Sequence, residues 1–280
     1  MGKEQQNITP VSLPHPNKML IIEPLDYPNP YDFHKLHRHD YFEIILVKSG
    51  SGSQLIDFSM YEMDARQIFT VYPGQVHLMN RNSADGLLIQ FRKDIFEFTH
   101  PLKHYHLYFQ SPAFGIDAGG FDHLYDIAAR MKTLLANDRL STISIHKVYN
   151  YLQVILISLM ELYDQKINFR KHHLVSEFLS LLTHHVHDKK KVADYGNMMG
   201  CTTDKLNSAC REGLGKTALE LIHEELLLEI RRLLLLNKLS LKEIAFELNF
   251  DSQANFSGFI KTKTGQTPSE LQQSILEVYN

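Results

Sequence analysis

Residues 239–271, LSLKEIAFELNFDSQANFSGFIKTKTGQTPSEL, decide how the last third of this chain is read. Leu241, Ile244, Ala245 and Leu248 recur at helical spacing and give a first helix a narrow apolar face. Asn249 follows where the chain must reverse with positive φ, a conformation asparagine tolerates better than most residues. Asp251 or Ser252 then serves as N-cap of a second helix. That helix turns Phe256 and Ile260 inward and leaves Ser252, Gln253, Asn255, Ser257, Lys261 and Lys263 outward. Gly265 ends it, and Pro268 opens a further helix at a position proline accepts.

A related text stands 50 residues earlier. GKTALEL (215–221) matches GQTPSEL (265–271), and Leu206, Cys210 and Arg211 correspond to Phe256, Ile260 and Lys261. Upstream the spacing is 49, with Tyr195-Gly196 and Gly200 answering Ile244-Ala245 and Asn249; one residue gained in a turn accounts for the difference. The outward set of the first copy is Thr203, Lys205, Asn207, Ser208 and Arg211. A helix over 218–236, roughly 27 Å long at 1.5 Å per residue, separates the copies. A rigid spacer of that size can set two helices in successive major-groove turns, roughly 34 Å apart. Asn207, Gln253 and Asn255 suit base edges; Lys205, Arg211, Lys261 and Lys263 suit phosphates. A plain helical bundle explains one such copy as well as DNA binding does. Two copies in register across the spacer favour duplex DNA.

Composition bounds the partner. The 280 residues suffice for two domains with separate cores, and 44% hydrophobic with 22% charged content is that of a globular protein. A formal net charge of −3 excludes a basic protein that coats nucleic acid indiscriminately, so DNA binding must come from a local positive face. Cys201 and Cys210 lack CxxC spacing and read as small buried residues. No apolar run reaches membrane-spanning length, and the start MGKEQQNITPVSLPHP is polar, so a cytoplasmic protein is expected. The prolines at 10, 14 and 16 make residues 1–17 an extended arm.

The N-terminal texture differs. YFEIILVKSG, QIFTVYPG and GLLIQF are short β-branched and aromatic runs broken by turn formers, as in a sandwich or small barrel. From about residue 121 the pattern turns helical, with Ile145, Val148, Leu152, Ile155, Leu159 and Leu162 forming an apolar stripe over 143–163 and a weaker helix over 121–136. DQKINFRKHH (164–173) reads as a linker. In HKLHRHDYFEIILVKSG (34–50), His37, His39, Tyr41 and Glu43 fall on one face if the segment is a strand, and YPGQVHLMN (72–80) adds His77. Tyr31, Phe33, Tyr72 and Phe91 are candidate cavity walls. Three imidazoles and a carboxylate suit Zn, Fe, Ni or Mn. The same residues equally form a metal-free effector pocket, or simply orient the strands. The pairs His184/His187 and His104/His106 read as surface or packing residues.

The run 239–271 resembles the signature of the AraC/XylS family of bacterial transcription regulators, and the similarity extends over about 174–275, that family's DNA-binding domain. Gly258 and Ser208 stand where the family usually has arginine, Asn249 where it has glycine, and Ile230 where it has alanine. The spacing HxHxxxE followed by PGxxH resembles the cupins, whose domains are the usual sensor half of such regulators. The resemblance implies an α+β chain of two domains. A cupin-like β barrel (18–110) is followed by a helical dimerisation or linker region (111–165). An all-α domain (174–275) then holds two helix-turn-helix units, about 191–212 and 241–264. It implies a regulator, not an enzyme, without cofactor or bound metal. Its expected partners are promoter DNA, RNA polymerase, a second copy of itself and a small effector such as a sugar, held by His37, His39, Tyr41, Glu43, Tyr72, His77 and Phe91. The missing arginine at 258 makes the second unit the expected weaker reader. The rival reading is a metal-dependent cupin enzyme with a structural helical half, and a further one is a degenerate regulator acting through protein partners.

Overall fold

The computed structural model describes residues 11–15, 18–28, 35–99, 112–137, 141–164 and 173–279. Most of the proposed arm, residues 165–172 of the linker read as 164–173, Tyr31, Phe33 and His104/His106 lie outside them. The chain divides into two compact units, Pro10–Arg170 and Lys171–Asn280.

The N-terminal unit carries β1 (Leu20–Pro24), β2 (Phe42–Ser49), β3 (Gly52–Ile56), β4 (Ser59–Met63), β5 (Gln67–Val71), β6 (His77–Asn80), β7 (Asp85–Phe91) and β8 (Ala113–Gly115), then α1 (Ala118–Leu135) and α2 (Thr142–Asp164). Five strands form one antiparallel sheet, ordered β1-β7-β2-β5-β8, and three form another, β4-β3-β6. The expected closed barrel is therefore corrected to two open sheets. Closure needs edge strands of the two sheets to pair along their length. Among the described residues, the segment leading into β2 meets β6 only at the isolated bridge His37–His77. The larger sheet also continues past residue 110, through β8.

Alternation along the strands sorts two cores. Phe42, Ile44, Leu46, Ile68, Leu87, Ile89 and Phe91 face the helices and pack on Phe121, Leu124, Val148, Leu152, Ile155 and Leu159. Ile45, Val47, Phe69, Val71 and Leu88 face the other way, onto Ile56, Met63 and Met79 of the small sheet. The helical stripe read from 143–163 is thus the inner face of α2, with Val148, Leu152, Ile155 and Leu159 fully buried.

The C-terminal unit is helical: α3 (His173–His185), α4 (Val192–Met198), α5 (Thr203–Leu214), α6 (Ala218–Leu236), α7 (Leu241–Glu247), α8 (Gln253–Thr264) and α9 (Pro268–Tyr279). Each boundary has a local cause. Thr202 and Ser252 cap α5 and α8 by accepting from Lys205 N and Asn255 N. Gly215 and Gly265 end those helices at φ 69° and 76°. Thr217 with Glu220, Ser240 with Glu243 and Thr267 with Glu270 start α6, α7 and α9 by reciprocal hydrogen bonds. Inside α6, Arg232 is 2% exposed and lies 3.3 Å from Glu229 and 3.5 Å from Glu225; His187 closes on Glu229 at 3.2 Å. No helix among the described residues is long and apolar enough to cross a membrane.

Candidate functional sites

The histidine cluster forms where the two sheets face each other. His37 and His39 precede β2 rather than lying on a regular strand, as the sequence had suggested. Two isolated bridges hold them: His37 pairs with His77 at the start of β6, and His39 with Val11 of the N-terminal segment. Glu43 is on β2, on the face that Ile45 and Val47 share. His39, Glu43 and His77 are buried, and one ligating atom of each lies within 4.8 Å of the others. Tyr41 stacks on the His39 ring at 4.0 Å, and the His37 ring lies 4.3 Å from that of His77.

Each member is held from behind. His39 Nδ1 is 2.7 Å from the Tyr41 carbonyl, so that nitrogen donates and Nε2 carries the lone pair. His77 Nδ1 is 3.2 Å from the Gln54 amide. Gln90, opposite Glu43 in the β2–β7 register, donates to Glu43 Oε2 at 2.8 Å and to the Tyr41 hydroxyl at 3.2 Å. Among the described residues, His39 Nε2, His77 Nε2 and Glu43 Oε1 are buried without a hydrogen-bond partner. Burial pushes His39 down to about 3, with His37 adding to the effect, and holds His77 well below the ordinary imidazole range. Burial raises Glu43 to about 7 against the opposing Gln90 hydrogen bond. His39 and Glu43, 3.9 Å apart, are therefore a neutral imidazole beside a carboxyl and not an ion pair.

Tyr72 and Phe91 do not join this cluster. They lie with Phe42 and Ile44 on the helix-facing side of the large sheet, because neighbouring residues on a strand point to opposite faces and it is Gln90 that faces Glu43. Gln54 and Gln90 were missed in the sequence. Their signal was a lone amide inside an apolar strand, QLI and LLIQF. The cavity at the cluster, bordered by Tyr27, His37, Tyr41, Glu43, His77 and Gln90, is about 20 Å³. A cavity of about 550 Å³ lies elsewhere, lined by Lys18, Ile21, Lys132, Leu135, Ile145 and Tyr149, and holds none of the residues chosen from sequence.

In the C-terminal unit two helix pairs answer the repeated text. α4 and α5 are joined through Gly200 at φ 61°, α7 and α8 through Asn249 at φ 51°, as the position of Asn249 implied. Tyr195 and Gly196 are buried in the first pair, Ile244 and Ala245 in the second. A Cβ at Gly196 would stand 2.8 Å from the Cys201 carbonyl, so any other residue would force α4 and its turn to shift. Lys205, Ser208, Arg211, Ser252, Gln253, Asn255, Lys261 and Lys263 are exposed; Thr203 and Ser257 are half-buried. Asn207 is drawn away from the expected reading face: its side-chain oxygen accepts from Ala218 N at 3.0 Å, capping α6. Ser252 likewise turns its hydroxyl back to Asn255 N. Gly258 has open space beyond its Cα. His184 bonds the Ser180 carbonyl of its own helix while His187 meets Glu229, so that pair does not converge.

Comparison with known proteins follows the same division. Residues 21–116 match the family model for an AraC-like ligand binding domain, and residues 195–274 that for a helix-turn-helix domain. Among solved structures, ToxT from Vibrio cholerae with bound unsaturated fatty acid is 14% identical over 90% of this chain and 94% of its own, with a TM-score of 0.39. The xylose-binding transcription activator xylR is 25% identical over 36% of this chain and 26% of its own, with a TM-score of 0.32. The AraC-like transcriptional activator CuxR is 14% identical over 67% and 66%, with a TM-score of 0.28. Likeness of that degree places no individual residue. No curated protein gives a match.

Proposed function

Because the chain belongs to the AraC family of transcription regulators, with a ligand binding domain ahead of a helix-turn-helix domain, we propose that both helix pairs of its C-terminal unit engage promoter DNA. In this reading the pairs are two helix-turn-helix units, α5 and α8 enter the major groove, and α6 sets their spacing. Gln253 and Asn255 read bases; Lys205, Arg211, Lys261 and Lys263, with Thr203, Ser208 and Ser257, hold the backbone. The observation that carries the reading is the pairing of these two domains in one chain.

The effector site is centred on His37, His39, Tyr41, Glu43 and His77, of which His39, Glu43 and His77 are buried and bring ligating atoms within 4.8 Å of one another. An effector that binds one arrangement of the protein better than another shifts the balance between them. The protein works in the cytoplasm as a homodimer that communicates with RNA polymerase, and it catalyses no reaction. Exposed Val154 and Ile157, one turn apart on α2, supply an apolar contact for a second copy. The test is a gel-shift titration of the full-length protein against genomic fragments. A preferred site whose affinity falls steeply with salt is expected. Binding without preference among fragments would reject the regulator reading.

A further inference from the structure

β1 is the edge strand of the large sheet, and its residues line the larger cavity together with the end of α1 and the start of α2. Arg92 N donates to the Met19 carbonyl at 2.9 Å and Leu25 N to that of Gly86 at 3.1 Å, so the odd-numbered residues of this stretch face β7. Leu20 and Ile22 therefore turn their N–H and C=O groups the other way, where no described strand pairs with them. Their side chains lie in the core under the helices, so what they offer the cavity is backbone. Leu135, Ile145 and Val148 give it an apolar wall. Lys18 and Lys132 also line it, and among the described residues neither ammonium group has an acidic partner. Nearby carboxylates are engaged elsewhere, Asp94 with Arg92 at 2.7 Å and Glu23 beside Tyr27, which borders the histidine cluster. The Tyr149 hydroxyl donates to the Met19 sulfur at 3.6 Å, a weak acceptor that a stronger one displaces.

We propose that this cavity binds a short free peptide with apolar side chains and a C-terminal carboxylate, laid against β1 as an added strand. Its volume of about 550 Å³ lies in the range of sites for organic ligands. A peptide of about three residues, roughly 10 Å long when extended, runs past Leu20 and Ile22. Its backbone supplies the donors and acceptors that the strand edge lacks, and alternate side chains reach the apolar wall. Its carboxylate draws on the two ammonium groups and the Tyr149 hydroxyl. A sugar would leave both positive charges unpaired, and a plain fatty acid would leave the N–H and C=O groups of the edge unmet. A segment inside a longer chain has no terminal carboxylate to offer. The cavity shares no residue with the buried trio His39, Glu43 and His77, so this site stands whether or not that cluster holds an effector. A peptide seated here ties β1 to α1 and α2.

The test titrates full-length protein by calorimetry with two N-acetylated tripeptides, acetyl-Val-Leu-Val and acetyl-Leu-Phe-Val, each with a free carboxylate. One peptide per chain and a higher thermal midpoint are expected. Amidating the carboxylate, or methylating the central backbone nitrogen, should each weaken binding by about tenfold or more. The double change Lys18→Gln with Lys132→Gln should weaken it to a similar degree, and Ile145→Trp should abolish it by filling the cavity. Lys242→Gln, at an exposed position of α7, should leave it unchanged. Near-UV circular dichroism identifies folded variants, and the modified peptides decide on the wild-type protein where a variant fails to fold. Binding of neither peptide at millimolar concentration overturns the site, as does binding that survives Ile145→Trp. Decanoate binding as tightly as the peptides overturns the peptide class. Indifference to N-methylation overturns the added strand, and indifference to amidation overturns the role of the lysines.

Discussion

The pairs α4–α5 and α7–α8 share a plan and differ in what the middle of the second helix does. Both second helices begin on a hydroxyl cap, Thr202 or Ser252, and end on a left-handed glycine, Gly215 or Gly265. Asn207 in α5 corresponds to Ser257 in α8, and there the parallel stops. Asn207 caps α6 through Ala218 N. The residue matching Ala218 is Pro268, which has no N–H, so position 257 has no such donor to satisfy. The residue that opens the next helix therefore decides whether the side chain eleven residues upstream has a backbone N–H to cap. A repeat in sequence is not a repeat in chemistry.

We expect the largest consequence in DNA discrimination. Gln253→Ala and Asn255→Ala should each lose about 1–3 kcal/mol of preference at one base position, and Asn207→Ala none. Competition gel shifts against single-base operator variants measure this, and the comparison breaks if Asn207→Ala relaxes a position instead. Next is the close approach in the first pair. Gly196→Ala should destabilise by about 1–3 kcal/mol, whereas Ala245→Gly costs only about 0.5–1 kcal/mol. Equal shifts in urea denaturation would show that the two pairs are packed alike.

Smaller effects sharpen the contrast. Asn207→Ala should cost about 1 kcal/mol as a lost cap, and Ser257→Ala should stay within about 0.5 kcal/mol, both read by thermal unfolding. Last is thiol reactivity, since Cys210 occupies the place that Ile260 holds in the second pair. Burial pushes the Cys210 thiol up to about 11, with Cys201 adding to the effect. Near pH 8 the folded protein should react with a disulfide reagent at Cys201 alone. Reaction of both thiols before unfolding would mean that α5 is the looser helix.

What was legible in the sequence is what local chemistry fixes. The ends of α8, the reversal at Asn249, the stripe of α2 and the strands β2, β5 and β7 all follow from caps, positive φ and periodicity. The convergence of His39, Glu43 and His77 also showed through, because polar residues in an apolar setting must serve some partner. Strand register did not show. Only the β2–β7 pairing reveals that Gln90 meets Glu43 while Phe91 faces the helices, and only the pattern of strand partners reveals two open sheets in place of a barrel. Nor could spacing reveal that Asn207 bends toward α6, since that contact depends on how two helices dock.

The ionic knot inside α6 bears on how both pairs can move. Arg232 lies between Glu229 and Glu225, and Glu229 also meets His187, which follows α3. A slip of α6 by one residue turns it about 100°. The contacts among Arg232, Glu229 and Glu225 would turn with the helix, and only the one from Glu229 to His187 would part. His187 is therefore the registration mark of the spacer: it ties the position of α6 to the end of α3.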